Sequence, residues 1–261
     1  MQLLDPISIV GAFAIFAIVS LLAFEGGYRV GLWWQKRTPD EKEGPTGMLV
    51  GSLLALLAFL LAVTMGMASD RFDTRRQLVL QEANAIGTTY LRAGYLPAPY
   101  ADEMRDLLRE YVPLRINVAD RDRFVANQAR SSAIQAEMWA MTEELARSTP
   151  DSDVLALFIS TLNDTIDLQA SRVTAIVTAR VPQTILLLLF VGEALTMAMV
   201  GYSAGLTRRR SVLTALVLVL VLGAVLTVVV DLDRPRDGYL QVSQQPLIDL
   251  GNQIGAQEPA P

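Results

Sequence analysis

TMGMASDRFDTRRQLVLQEANAIG, residues 64–87, carries the chain from a long apolar run into a charged one with no Gly-Pro break between them. Asp70, Arg71, Asp73, Arg75 and Arg76 crowd into about two helical turns. Through that charge, Phe72, Val79, Ala83, Ile86 and Tyr90 recur at spacings that hold one face of a helix. The stretch therefore reads as a helix that leaves an apolar environment and continues into water. Its charges either anchor the helix at the membrane boundary or shape an ion path there.

The rest of the sequence supplies the apolar environment. The hydrophobic fraction is 52% and the mean hydropathy +0.35, high for a soluble domain. Residues 7–24 and 47–69 are uncharged, 181–207 carry the single charge Glu193, and 211–230 carry none. A membrane span needs about 20 mostly apolar residues, so four transmembrane helices are expected. Asp5 and Pro6 stand where a cleavable signal peptide would have its basic leader. The first block is accordingly expected to remain as a membrane helix.

The chain has no Cys and no His, which removes thiol chemistry, disulfides, Cys/His zinc sites and the usual neutral-pH general base. The formal charge of −5 leaves no basic footprint for nucleic acid. There is no Gly-rich phosphate loop, nucleophile elbow or HExxH motif. Neither an enzyme, a cofactor nor a metal is expected.

The expected class is all-α: a polytopic membrane protein with a helical extramembrane domain between the second and third spans. The parts are a first helix pair (1–69), the helical domain (70–180), a second helix pair (181–230) and a polar tail (231–261). In the domain, LPAP (96–99) breaks the long helix, and further helices are expected over about 100–117 and 121–147. STPDSD (148–153) is a break with N-cap chemistry. The next segment places Leu155, Phe158, Leu162, Ile166, Val173 and Val177 on one face and Asn163, Asp167 and Ser171 in a polar row. It is expected to run on into the third span, with Pro182 as a kink. The second and third spans would then project from the bilayer. A helix of about 45 residues is roughly 68 Å long, against about 30 Å of hydrocarbon core.

Three features invite a functional reading. Gly47, Gly51, Ala55, Ala58, Ala62 and Gly66 form a small-residue stripe on the second span, suited to close helix packing within the subunit or between copies. The opposite face, with Leu53, Leu57, Leu60 and Thr64, would meet lipid or form an apolar constriction. Glu193, near the middle of the third span, is either a functional carboxylate or interhelical hydrogen-bonding glue. The segment after the fourth span holds Asp231, Asp233 and Asp237 beside Arg234 and Arg236. Arg236 and Val242 occupy the places where an EF-hand loop needs Gly and Glu, so an ion-paired turn fixed by Pro235 and Gly238 is expected there.

Two of these stretches resemble the bestrophin anion channels. Asp70, Arg71, Phe72, Arg75, Arg76, Asn84 and Arg92 fit the run in which the bestrophin pore helix leaves the membrane. Asp231, Asp233, Pro235, Gly238, Pro246 and Leu247 fit the segment after the fourth bestrophin helix. The helical plan agrees, and is most similar to the bacterial and plant membrane proteins called bestrophin-like. The resemblance implies a homopentamer in which the second span of each copy surrounds a central pore for small anions such as chloride. Leu57, Phe59, Leu60 and Thr64 would form the constriction, with Arg71 and Arg75 at the mouth. The acidic run that binds calcium in animal bestrophins is not visible, so calcium gating is not implied.

The resemblance also implies a bacterial inner-membrane location, with the helical domain and both termini cytoplasmic. The basic residues divide evenly between the two sides. Arg29, Lys36, Arg37, Lys42, Arg208, Arg209 and Arg210 stand in the short loops, against Arg71, Arg75, Arg76, Arg172, Arg180, Arg234 and Arg236. Discounting long domains, as the positive-inside rule does, favours the opposite orientation. The partners expected are further copies of the chain, membrane lipid and small anions. The alternative is a non-conducting membrane scaffold or sensor whose helical domain binds a partner or ligand. A proton or cation pathway through Glu193 is a third reading.

Overall fold

The computed structural model describes residues 7–38, 43–116, 121–235 and 238–256; Lys42, Arg236 and Asp237, invoked above, lie outside them. The described residues form helices α1 (Ile9–Arg37), α2 (Glu43–Ala93), α3 (Tyr100–Ile116), α4 (Arg121–Ser148), α5 (Asp153–Val177), α6 (Gln183–Leu206), α7 (Val212–Asp233) and α8 (Gln245–Ile254), with no strand among them. Four of them, α1, α2, α6 and α7, are long and apolar enough to cross a membrane. Two compact units result. One comprises Met1–Asp70, Arg180–Arg234 and Gly238–Leu240; the other comprises Arg71–Ala179, Pro235–Asp237 and Gln241–Pro261.

α2 is unbroken over 51 residues, about 77 Å at 1.5 Å per residue. The opening stretch of charge does not interrupt it. The chain turns only at Leu96–Pro99, between α2 and α3, where the prolines remove backbone donors. Ser152 caps α5 by accepting from the Leu155 N–H at 3.2 Å, as the STPDSD stretch led one to expect.

The third span does not continue a preceding helix, which corrects the sequence reading. α5 ends at Val177, and α6 starts afresh at Gln183 with Pro182 at its N-cap. Proline lacks the N–H needed to continue a helix and drives the residue before it out of helical geometry. The Val181 N–H is instead taken by the Asp233 carboxylate at 2.7 Å, tying the start of α6 to the end of α7.

In the first unit, α1 packs against α6 and α7. The α1–α6 contact is made backbone to backbone through glycines. A Cβ on Gly27 would stand 1.8 Å from the Ala198 carbonyl oxygen, and one on Gly201 2.0 Å from that of Phe24. Gly31 and Gly205 repeat the pattern one turn on, at 2.3 Å from the Tyr202 oxygen and 2.4 Å from the Tyr28 oxygen. These are two reciprocal G-x-x-x-G pairs, in which each missing side chain lets a Cα–H face a carbonyl. The apolar centre of the unit gathers Phe16, Leu57, Leu61, Leu189 and Leu226 from α1, α2, α6 and α7.

The second unit is a water-type core of Val79, Ile86, Met104, Leu108, Ile134, Met138, Phe158, Leu162 and Leu247, among others, drawn from α2, α3, α4, α5 and α8. Each fully buried side chain of this size contributes about 1.5–3 kcal/mol. Within it lies a charged centre. Glu82 on α2 is wholly buried and accepts from Arg115 Nε at 2.7 Å and from Arg172 Nη1 at 2.5 Å. Arg172 also donates to the Gln244 side chain ahead of α8, and Arg115 to Gln128 at 3.3 Å. Nearby, Tyr111 donates to Gln169 at 2.8 Å and accepts from Gln135 at 3.0 Å. Burial holds the Tyr111 hydroxyl well above its usual range and draws the Arg172 guanidinium below its own, an effect that Glu82 opposes. One carboxylate thus pins α2, α3 and α5 together.

Two outcomes follow from this packing. Gly201→Ala drives a Cβ into the α1 backbone and is expected to cost about 1–3 kcal/mol or more, whereas Gly192→Ala, which meets nothing within 4 Å, leaves stability unchanged or improved. Thermal unfolding of the detergent-purified variants checks the pair. Glu82→Gln strips two buried guanidiniums of their counter-charge and is expected to destabilise by about 3–5 kcal/mol. Arg130→Gln, which breaks only the exposed Arg130–Glu110 pair, should leave the same transition in place.

Candidate ion pathway along the second helix

The two faces of α2 in the first unit have opposite environments. Leu57, Leu61, Thr64 and Ala68 are buried, at the 4-3-4 spacing of one helix face. Leu57 and Leu61 pack on Phe16, Leu189 and Leu226, with Leu60 partly buried beside them. The Thr64 hydroxyl donates to the Leu60 carbonyl at 2.7 Å. In contrast, Gly47, Gly51, Ala55, Ala58, Ala62 and Gly66 are all exposed, and a Cβ built on any of the three glycines meets nothing within 4 Å. Phe59, on that outer side, is 64% exposed.

This arrangement corrects the reading of the helix. The leucine face, expected to meet lipid or a pore, makes the packing within the subunit. The small-residue stripe, a candidate for that packing, makes none of it. Of the expected constriction, Leu57 and Thr64 are buried in the protomer and cannot line a path outside it. Phe59 remains available, and Leu60 is partly covered.

The exposed side contains one continuous row, Ser52, Ala55, Phe59, Ala62, Gly66, Ser69 and Asp73, spaced alternately three and four. Phe59 is its only bulky member. At the charged end Asp70 and Asp73 are exposed, Arg71 is half-buried and Arg75 is 4% exposed. Arg75 is thus buried within the protomer, where a residue at an open mouth would be exposed. Arg76 is the exposed cation of this stretch.

Glu193 faces away from that row. It is 3% exposed and borders a small cavity with Phe16, Leu57, Leu61, Leu189, Leu222 and Leu226. Among the described residues its Oε1 has no hydrogen-bond partner. The carboxylate thus sits inside the helix bundle of one protomer.

The tail motif closes the end of α7. Both Asp231 oxygens accept backbone N–H groups, from Tyr239 at 2.7 Å and Leu240 at 2.9 Å. Gly238 is required by contact: a Cβ there would lie 2.7 Å from Asp231 Oδ1. Asp233 is committed to the Val181 amide, and Pro235 follows the Arg234 cap that ends α7. Both carboxylates thus accept backbone amides, which folds the segment at the end of α7. Sequence reasoning did not single out Glu82, Arg115 or Arg172 as partners. The available signal was a lone acid at the apolar spacing of α2, three residues after Val79 and four before Ile86.

A model of the bestrophin-like domain matches residues 15–247. No curated protein matches the sequence. Among solved structures, a variant of a bacterial bestrophin homologue from Klebsiella pneumoniae superposes with a TM-score of 0.63 at 17% identity, covering 94% of this chain and 96% of that one. The structure of that homologue phased with zinc gives 0.61 at 14% identity, with 95% and 96% covered. A crystal structure described as a membrane protein variant gives 0.66 at 16% identity, with 97% and 99% covered. At these identities the structures share the fold, and the domain match over most of the sequence settles the kinship. This multi-pass membrane chain belongs to the bestrophin-like family.

Proposed function

We propose that the chain is one subunit of a bestrophin-like anion channel in a bacterial inner membrane. It assembles as a homopentamer in which the exposed row of α2 from each copy lines a central path. The observation that carries this reading is the row itself. Small and hydroxyl side chains, with a single Phe, run along an uninterrupted helix on a face the protomer leaves uncovered. Small residues permit close approach of neighbouring helices, and a ring of Phe59 side chains supplies an apolar constriction of the kind that gates by dewetting. The domain and both termini are cytoplasmic in this assembly.

One observation favours a second reading, in which the permeant ion is a cation. Among the described residues, the exposed carboxylates Asp70 and Asp73 at the charged end of the row outnumber the one exposed cation there, Arg76, while Arg75 is buried and Arg71 half-buried. Rings of carboxylates favour cations. The two readings separate in one experiment on the purified protein in planar bilayers under a KCl gradient. In the anion reading the reversal potential lies toward the chloride potential and Asp70→Asn with Asp73→Asn hardly moves it. In the cation reading it lies toward the potassium potential and the double variant shifts it toward zero. Phe59→Ala is expected to raise the unitary conductance in both. Absence of current in repeated reconstitutions of intact oligomer would overturn the channel proposal itself.

A further inference from the structure

We propose that the first unit binds an anionic phospholipid in the recess between α1 and the start of α7. This inference is independent of whether the chain conducts. The recess, about 330 Å³, has Leu21, Phe24 and Ala215 in its floor and Glu25, Arg29 and Arg210 at its rim. The apolar part belongs to the spans. The charged part stands just past the uncharged run 7–24 and just before the uncharged run 211–230, where the spans would give way to headgroups.

The rim has a defined charge. Glu25 accepts from Arg29 Nε at 2.8 Å through one oxygen and from Arg210 Nη2 at 2.7 Å through the other. One carboxylate between two guanidiniums leaves one net positive charge, on side chains that stay exposed to a ligand. Each guanidinium has five N–H donors, so most remain for a phosphate, which arginine binds in bidentate fashion. Arg210 lies over the Tyr28 ring, 5.5 Å from its centroid, which further fixes its plane. On the same helix Trp33 and Trp34 are exposed, and Arg37 stacks on Trp33 at 4.0 Å. Tryptophans at such helix ends mark the interfacial belt.

The combination identifies the ligand class. A free phosphate would gain nothing from the Leu21–Phe24 floor, whereas an acyl chain covers it. A zwitterionic choline headgroup brings its own cation to a rim that is already positive. Basic residues in short loops are general, but an apolar recess capped by two arginines that share one carboxylate is not.

Native mass spectrometry of the detergent-purified chain tests this with phosphatidylglycerol and phosphatidylcholine of identical acyl chains. Retention of phosphatidylglycerol is expected to exceed that of phosphatidylcholine by about fivefold, the factor for one net charge near a membrane surface. Arg29→Gln with Arg210→Gln should abolish the preference. Glu25→Gln removes the competing carboxylate and should increase it, a gain that misfolding cannot mimic. Equal retention of the two lipids, an unchanged preference in the arginine variant, or a preference that does not rise in Glu25→Gln would overturn the site. Displacement of phosphatidylglycerol by millimolar inorganic phosphate would reassign it to a free anion.

Discussion

The structure depends on keeping one helix intact across two solvents. In hydrocarbon every backbone amide of α2 must be bonded within the helix. In water the same geometry survives only if a face of the helix is buried. α2 meets both demands with 3.6-residue periodicity. It presents Leu57, Leu61, Thr64 and Ala68 to the membrane unit, and Val79, Glu82, Ala83, Ile86, Thr89 and Ala93 to the other. What the inner face requires also decides what the outer face can be. Leu57 and Leu61 are used inward, and the small-residue stripe is left outward beside Leu56, Phe59 and Val63.

The two units hold this helix by different means. In the membrane unit there is little hydrophobic gain from bringing helices together, because lipid is as apolar as leucine. Close glycine contacts join α1 to α6, and α2 packs on this unit through Leu57 and Leu61 against Phe16, Leu189 and Leu226. In the second unit apolar burial supplies the stability, and Glu82 with its two arginines supplies the register. A slip of α2 by one residue would leave three charges buried without partners. The Asp231 and Asp233 contacts then secure the chain where it leaves α7, using carboxylates as acceptors for amides that no helix satisfies.

Much of this was legible in the sequence, and the exceptions have physical causes. The four spans, the passage of α2 through its charges, the LPAP turn and the α5 cap follow from composition and local chemistry. The direction of the small-residue stripe was not legible, because periodicity separates faces without saying which one is covered. The glycines that do pack, Gly27, Gly31, Gly201 and Gly205, stand as two G-x-x-x-G pairs in the sequence, but spacing does not say which helix each faces. Arg75 read as a mouth residue because charge in a sequence looks solvent-facing, whereas its place on the helix, seven residues after Ala68 and four before Val79, puts it inward. The end of α5 was misread by weighing apolar periodicity above Pro182. For Glu82 and Arg172, separated by 90 residues, no local pattern could have announced the pair.

In the proposed assembly the outer face of α2, and not its leucine face, is shared between copies around a common path. The chain has no cysteine, so single introduced thiols report on this directly. Disulfide cross-linking in membranes should be measured for Ala62→Cys and Gly66→Cys against Leu61→Cys and Ala68→Cys. A covalent dimer is expected from each variant of the first pair, since one thiol per copy can join only two copies, and monomer from the second. Cross-linking of the second pair as readily as the first, or of neither, would contradict that assembly.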